Sequence, residues 1–176
     1  MRVSPTSLTI LCICLVSVSA WWDIGHMTVA QVAVDRLKEL NQEEALNKFT
    51  KLIDGFANLT DGKSNSFVEA SVWPDDIKEY NASYFNDYHF TDVVYDPQNM
   101  FVSMSQFQKD VNSINTYKSA QSVLKTNREG VTFERCFMAR YLLHLAGDIH
   151  QPLHPVTMYN QTFKAPKGDL GGRIST

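Results

Sequence analysis

The chain has 176 residues, 16 Lys and Arg against 19 Asp and Glu, a formal net charge of −3 and 44% hydrophobic residues. That length suits one domain with its own core. The acidic balance argues against a broad polycationic nucleic-acid surface, but not against nucleic acid held through metal–phosphate contacts.

Residues 1–20 read as a secretory signal peptide. Arg2 supplies the positive start, Leu8 to Val18 the apolar stretch, and Val18-Ser19-Ala20 the small-residue cleavage site. The apolar stretch is short for a membrane span. Cleavage would leave residues 21–176 with Trp21 as the new N-terminus, and 15 basic against 19 acidic side chains. No membrane association is expected. Cys12 and Cys14 leave with the leader, so Cys136 remains alone, as a buried free thiol or with its partner outside this chain. The triplets Asn58-Leu59-Thr60, Asn81-Ala82-Ser83 and Asn160-Gln161-Thr162 favour a glycosylated surface in a secreted protein. Secretion, or a lysosome-like compartment of the endomembrane system, is the expected destination.

The pattern beyond the leader is helical. Val29, Val32, Ala33, Leu37 and Leu40 recur at helical spacing after His26. Glu43 to Ile53 is a second helix, stopped near Gly55, and residues 55–66 read as loop. Ser66 to Tyr80 holds a helix around Trp73-Pro74-Asp75-Asp76, with Pro74 near its start or at a kink. Residues 81–104 are aromatic and irregular. Ser105 to Leu124 shows helical spacing in Phe107, Val111 and Ile114. Thr132 is placed to cap a helix running to about Asp148, along which Phe137, Tyr141, His144 and Asp148 form one stripe. Pro152 and Pro155 bound the next segment, and Gly168 to Thr176 is a glycine-rich turn. No repeat or dividing linker is evident.

His144 and Asp148 are four residues apart, so on a helix they share a face and can close on one ion. Imidazole and carboxylate are ordinary zinc ligands. After cleavage, the Trp21 amino group and carbonyl can chelate a metal, with His26 folding back onto it; the bland alternative is a pair of buried tryptophans, Trp21 and Trp22. Asp75 has Lys78 three residues on, and His89 has Asp92 three residues on. Taken singly, a histidine among aromatics such as His89 is more often a core residue, and Asp75 or Asp76 reads as a helix-start acid. His150 reads as a surface residue or an outer partner of a ligand.

In order and spacing these segments resemble the secreted zinc-dependent single-strand nucleases of the S1/P1 type. The resemblance rests on Trp21-Trp22-Asp23-Ile24-Gly25-His26, on Trp73-Pro74-Asp75, on Tyr88-His89-Phe90-Thr91-Asp92, and on the long run from His144 to His154. It spans the chain beyond the leader. It implies an all-α fold, a single mainly helical domain around a cleft with three zinc ions. One ion would take Asp75, His89, His144 and Asp148. A second would take the Trp21 amino group and carbonyl, His26 and the other oxygen of Asp148. A third would take His154 plus a later His-x-x-x-Asp pair. Lys78 falls near the scissile phosphate, while Asp92 and Gly171 fall where the family contacts a nucleobase. Asp75, Lys78 and Asp148 would carry the chemistry. The implied reaction is hydrolysis of single-stranded DNA and RNA to 5′-phosphates by a monomer, with 3′-nucleotidase action as a further expectation.

The sequence departs from the pattern in two ways. It ends at Thr176, before any His-x-x-x-Asp pair, so two zinc sites are supported and the fold is expected to be incomplete at its C-terminal end, as a fragment or a short paralogue. Arg173 stands where the family places an asparagine after Gly-Gly. Two alternatives therefore stand beside the nuclease: a phospholipase C-like zinc phosphodiesterase, and a non-catalytic zinc-binding paralogue.

Overall fold

The computed structural model describes residues 23–60, 63–80, 82–99, 110–126 and 130–169. The leader, Trp21, Trp22, Asn81, Phe107 and the Gly171-Gly172-Arg173 run lie outside the described residues. The described chain is mainly helical, with α1 (Asp23–Glu39), α2 (Glu43–Asp54), the short α3 (Trp73–Asp76), α4 (Ser113–Lys125) and α5 (Phe133–His150). Turns of 3-10 helix occupy Ala57–Leu59, Glu69–Ser71, Ile77–Tyr80 and Ser83–His89. No helix among the described residues is long and apolar enough to cross a membrane.

The axis of the fold is α5, which packs against α1, α2, α3 and α4. Thr132 caps it as expected, its hydroxyl accepting from the Arg135 amide. Its buried residues lie on more than one face, from Cys136, Ala139 and Tyr141 to Leu143, Leu145 and Asp148, as befits a helix covered on several sides. Cys136 is a buried free thiol, and burial raises its pKa. Gly55 ends α2 where a Cβ would stand 2.1 Å from Val131 Cγ1 and 2.8 Å from Cys136 Sγ, so close approach rather than a left-handed turn selects glycine there.

Arg140 is wholly buried. It donates to the Ser64 carbonyl at 2.6 Å and to the Ile53 carbonyl at 3.1 Å, where α2 ends and helix carbonyls lack partners. Its guanidinium lies 5.6 Å from the ring centres of both Phe56 and Trp73. Burial brings its pKa down to about 10.

Two expectations are corrected. The inward face of α1 is His26, Ala30 and Val34, while Val32 and Leu40 are exposed. Valine and alanine occur all around this helix, and packing on α5 selects the small Ala30. The expected helix around Trp73–Asp76 is present with Pro74 in its first turn, and 3-10 turns flank it within Ser66 to Tyr80. Ser66 and Glu69 form a reciprocal capping pair at the start of that segment. Lastly, α4 begins at Ser113, behind an Asn112 cap whose side chain accepts from Asn115 N at 2.9 Å; Val111 and Ile114 are exposed, and Thr116 and Ala120 face inward.

Two strands add a small parallel ladder, β1 (Val93–Tyr95) against β2 (Val156–Met158), with Val93 opposite Val156. This ladder ties the segment after His89 to the segment after His154. Thr91 N donates to His154 O, and Val93 N to Pro155 O.

Candidate metal centre

Four elements converge on one point. The start of α1 brings His26, α3 brings Asp75, the 3-10 turn before β1 brings His89, and the last two turns of α5 bring His144 and Asp148. His154 arrives on the short segment between α5 and β2. All six were site candidates from the sequence; the candidates Trp21 and Gly171 lie outside the described residues.

The Asp148 carboxylate is the hub. Its Oδ2 lies 3.1 Å from His89 Nδ1 and 3.1 Å from His144 Nε2. Its Oδ1 lies 3.5 Å from both His26 Nε2 and His154 Nε2. The first group is completed by Asp75 Oδ1, at 3.6 Å from His89 Nδ1 and 3.7 Å from His144 Nε2. Asp75 Oδ2 in turn is 3.7 Å from His26 Nε2. One carboxylate thus faces two sets of ligand atoms, one through each oxygen.

Elementary valence supports a cation here. His144 Nδ1 lies 2.7 Å from the Ser71 carbonyl, which accepts only from an N–H, so a neutral His144 points a lone pair from Nε2 into the cluster. That nitrogen is 2.8 Å from His89 Nδ1. Two imidazole nitrogens and a carboxylate oxygen crowd one point, and a single proton can bridge only one of the contacts. A tetrahedral ion with bonds of about 2.0–2.1 Å would hold its ligand atoms about 3.3 Å apart. The separations between these atoms, from 2.8 to 3.7 Å, bracket that edge length. The donor set of imidazole and carboxylate therefore fits a zinc-like ion, with His26 Nδ1 and His89 Nε2 left buried without a partner among the described residues.

The electrostatics agree. Burial pushes the imidazoles of His26 and His89 down to about 4, so both are neutral and ligand-ready near pH 7. Burial alone would push Asp148 up, but His144 and His89 outweigh it and hold the carboxyl well below its usual range. Asp75 behaves likewise, held down by His144, Lys78 and His89 against its own burial. The same field overcomes burial to raise His144, so the point that attracts a proton also attracts a metal cation.

Lys78 sits at the rim, its Nζ 2.5 Å from Asp75 Oδ1. Asp92 has a positive φ of 53° at the entrance to β1, and its Oδ1 accepts from Thr157 Oγ1 at 2.8 Å. The ladder thereby ties Asp92 to the segment that carries His154. His150 is exposed, with Nδ1 2.6 Å from Ala146 O.

A family model described as S1/P1 Nuclease matches residues 21–174. The chain belongs to this family. It is 26% identical over 159 residues to Nuclease S1 from Aspergillus oryzae, an alignment covering 87% of this chain and 50% of that protein. The chain thus spans about half the length of the curated relative it matches. No solved structure matches it significantly.

Within this family member, three contributors escaped sequence reading. Ser71 acts through its backbone carbonyl, which side-chain patterns do not report. The Phe90 ring stacks on His154, centroids 5.0 Å apart at 28°, and its place next to His89 was the available signal. Gly147 lies under the His26 ring. An apolar groove of about 690 Å³ is lined by Trp73, Ile77, Phe85, Phe133 and Phe137 among others, and none of the cluster's histidines or carboxylates lines it.

Proposed function

We propose that this protein is a zinc-dependent hydrolase that cleaves phosphodiester bonds of single-stranded DNA and RNA, leaving 5′-phosphates, with 3′-nucleotidase action on the same site. The observation that carries the reading is the division of Asp148 between His89–His144 and His26–His154. It supports one ion held by Asp75, His89, His144 and Asp148, and a second held by His26, Asp148 and the Trp21 amino group and carbonyl. His154 would serve a third with ligands from an His-x-x-x-Asp pair. Zinc bound there would bring the pKa of a coordinated water from about 16 toward 7 and offset phosphate charge.

The chain's own residues do the rest. Asp148 and Asp75 keep their negative charge across the neutral range, which favours a cation at this point. His144 is locked in orientation by Ser71. Lys78, one turn beyond Asp75 at the rim, offers N–H donors to phosphate oxygens as their charge grows. Phe90 presents an aromatic face beside His154 on which a base can stack, and Asp92 keeps one oxygen for a base edge while Thr157 holds the other. Gly171 is assigned to the same base contact. Such a site favours single strands, because a base must leave the duplex stack to reach it. Secretion of residues 21–176 as a glycosylated monomer accompanies this reading.

The test is zinc analysis and digestion by the purified full chain of single-stranded DNA, single-stranded RNA, duplex DNA and phosphatidylcholine. Zinc with preferential single-strand cleavage supports the reading. Lipid cleavage alone would point to a phospholipase C-like enzyme, and zinc without turnover to a non-catalytic protein; either overturns it.

A further inference from the structure

We infer that Gly147 is the positioning residue that creates the second half of the metal centre, by letting His26 cross α5 and reach Asp148. A Cβ built on Gly147 would lie 2.4 Å from His26 Nδ1, 3.0 Å from Cε1 and 3.4 Å from Cγ. Ordinary contact between such atoms begins near 3.4 Å. The ring would therefore have to move by about an ångström, a displacement that close-packed interiors resist. Glycine here answers no backbone requirement. It lies in the interior of α5, where alanine is the better helix former by about 1 kcal/mol.

The His26 ring has little freedom to yield. It is 1% exposed and stacks on His144 with centroids 3.9 Å apart and planes 17° from parallel. One side is thus His144 and another is Gly147, both on α5. Its helix is fixed to α5 through Ala30 and Val34. The way out is a different side-chain rotamer or a lifted start of α1. Either takes Nε2 away from Asp148 Oδ1, now 3.5 Å distant, and from Asp75 Oδ2, now 3.7 Å distant. The contacts of Asp148 Oδ2 with His89 and His144 need no side chain from α1 and stay in place. Gly147 thus separates the two halves: a methyl group there removes the His26 half and spares the buried half.

The consequence for metal rests on the zinc reading above; the steric claim does not. The experiment therefore has two arms, made on the full chain. In the first, zinc content and affinity are measured for wild type, Gly147→Ala and His26→Ala after dialysis against limiting zinc. Gly147→Ala is expected to match His26→Ala, with one ion fewer than wild type or an affinity for that ion lowered at least tenfold. In the second, metal-free melting is measured for Gly147→Ala, His26→Ala and the double variant. Gly147→Ala alone should melt below wild type, whereas adding Gly147→Ala to His26→Ala should leave melting unchanged or raise it. If Gly147→Ala fails to fold, the double variant should fold, because the obstructed ring is gone. Wild-type zinc content and affinity in Gly147→Ala, or equal destabilisation by Gly147→Ala with and without His26, overturns the inference. A wild-type chain that binds no zinc, with the melting pattern intact, would instead overturn the zinc reading alone.

Discussion

Replacing Asp148 by asparagine tests the bridging arrangement with almost no change of shape. The native carboxylate has four imidazole nitrogens around it, two at 3.1 Å from Oδ2 and two at 3.5 Å from Oδ1. An amide keeps one weak oxygen donor and turns an N–H toward the other pair, so both ligand sets are damaged together. If free zinc is held a hundredfold above each dissociation constant, each bound ion adds about 2.7 kcal/mol to the folded state. Two ions then contribute about 5 kcal/mol, which is comparable with the whole stability of many domains. At roughly 2–4 °C per kcal/mol for a domain of this size, zinc should raise wild-type melting by about 10–20 °C. The variant should lose most of that rise, and elemental analysis should show more than one ion gone. Melting curves with and without zinc, beside zinc counts on the same samples, make the comparison. A variant with wild-type zinc content and a wild-type rise would show that Asp148 does not bridge.

Lys78→Ala should keep its zinc yet cleave single-stranded DNA on the order of a hundredfold more slowly, the usual cost of removing one donor to developing charge; unchanged turnover would make Lys78 only the ion-pair partner of Asp75. Acid should destabilise the metal-free protein. His26 and His89 titrate near 4 when folded against 6.5 as a reference, so the unfolded chain binds more protons between those values. The stability they contribute is therefore present above about pH 6.5 and lost as pH falls toward 4. The raised His144 works in the opposite sense and offsets part of this. The ligands must also be deprotonated, so zinc should leave over the same window. Equal metal-free melting temperatures at pH 7 and pH 5 would contradict this. Arg140→Ala strands the Ile53 and Ser64 carbonyls and opens a void beside Phe56 and Trp73, so denaturant unfolding should show a loss of about 3 kcal/mol or more, whereas a change below 1 kcal/mol would mean that the buried cation contributes little.

The parts of the site that sequence reveals are those set by local geometry. His144 and Asp148 share a face because of their spacing, and Thr132 caps the helix that carries them. The union of Asp75, His26 and His89 with that pair is a tertiary fact, and only the resemblance suggested it. Where the sequence misled, the reason was degeneracy. Apolar residues line α1 on too many faces for spacing to pick the inward one, and the choice falls to Ala30 and Val34 because α5 approaches closely. The face of α4 was misjudged for a related reason: Asn112, Ser113 and Thr116 turn inward, and no hydrophobic pattern announces a polar inner face. Backbone acceptors such as the Ser71 carbonyl and the missing Cβ of Gly147 act without a side-chain signature.

The exposures within the centre divide it into a closed and an open side. His26, His89, His144 and Asp148 are each at most 1% exposed, whereas Asp75, Lys78 and His154 keep 34%, 28% and 12% of their side chains accessible. Among the described ligand-bearing residues, that second group is the face open to solvent. On the proposed reading, the dry side of the cluster holds the metal and the wet side meets the substrate. Burying the holding side strengthens its electrostatics and anchors it in the same helix that organises the core, through Tyr141 and Leu145 on the turns around His144. A cation at Asp148 would therefore be coupled to the packing of α5, and agents that strip such a metal should loosen the core before they touch the ladder of β1 and β2, whose backbone pairing involves no ligand side chain.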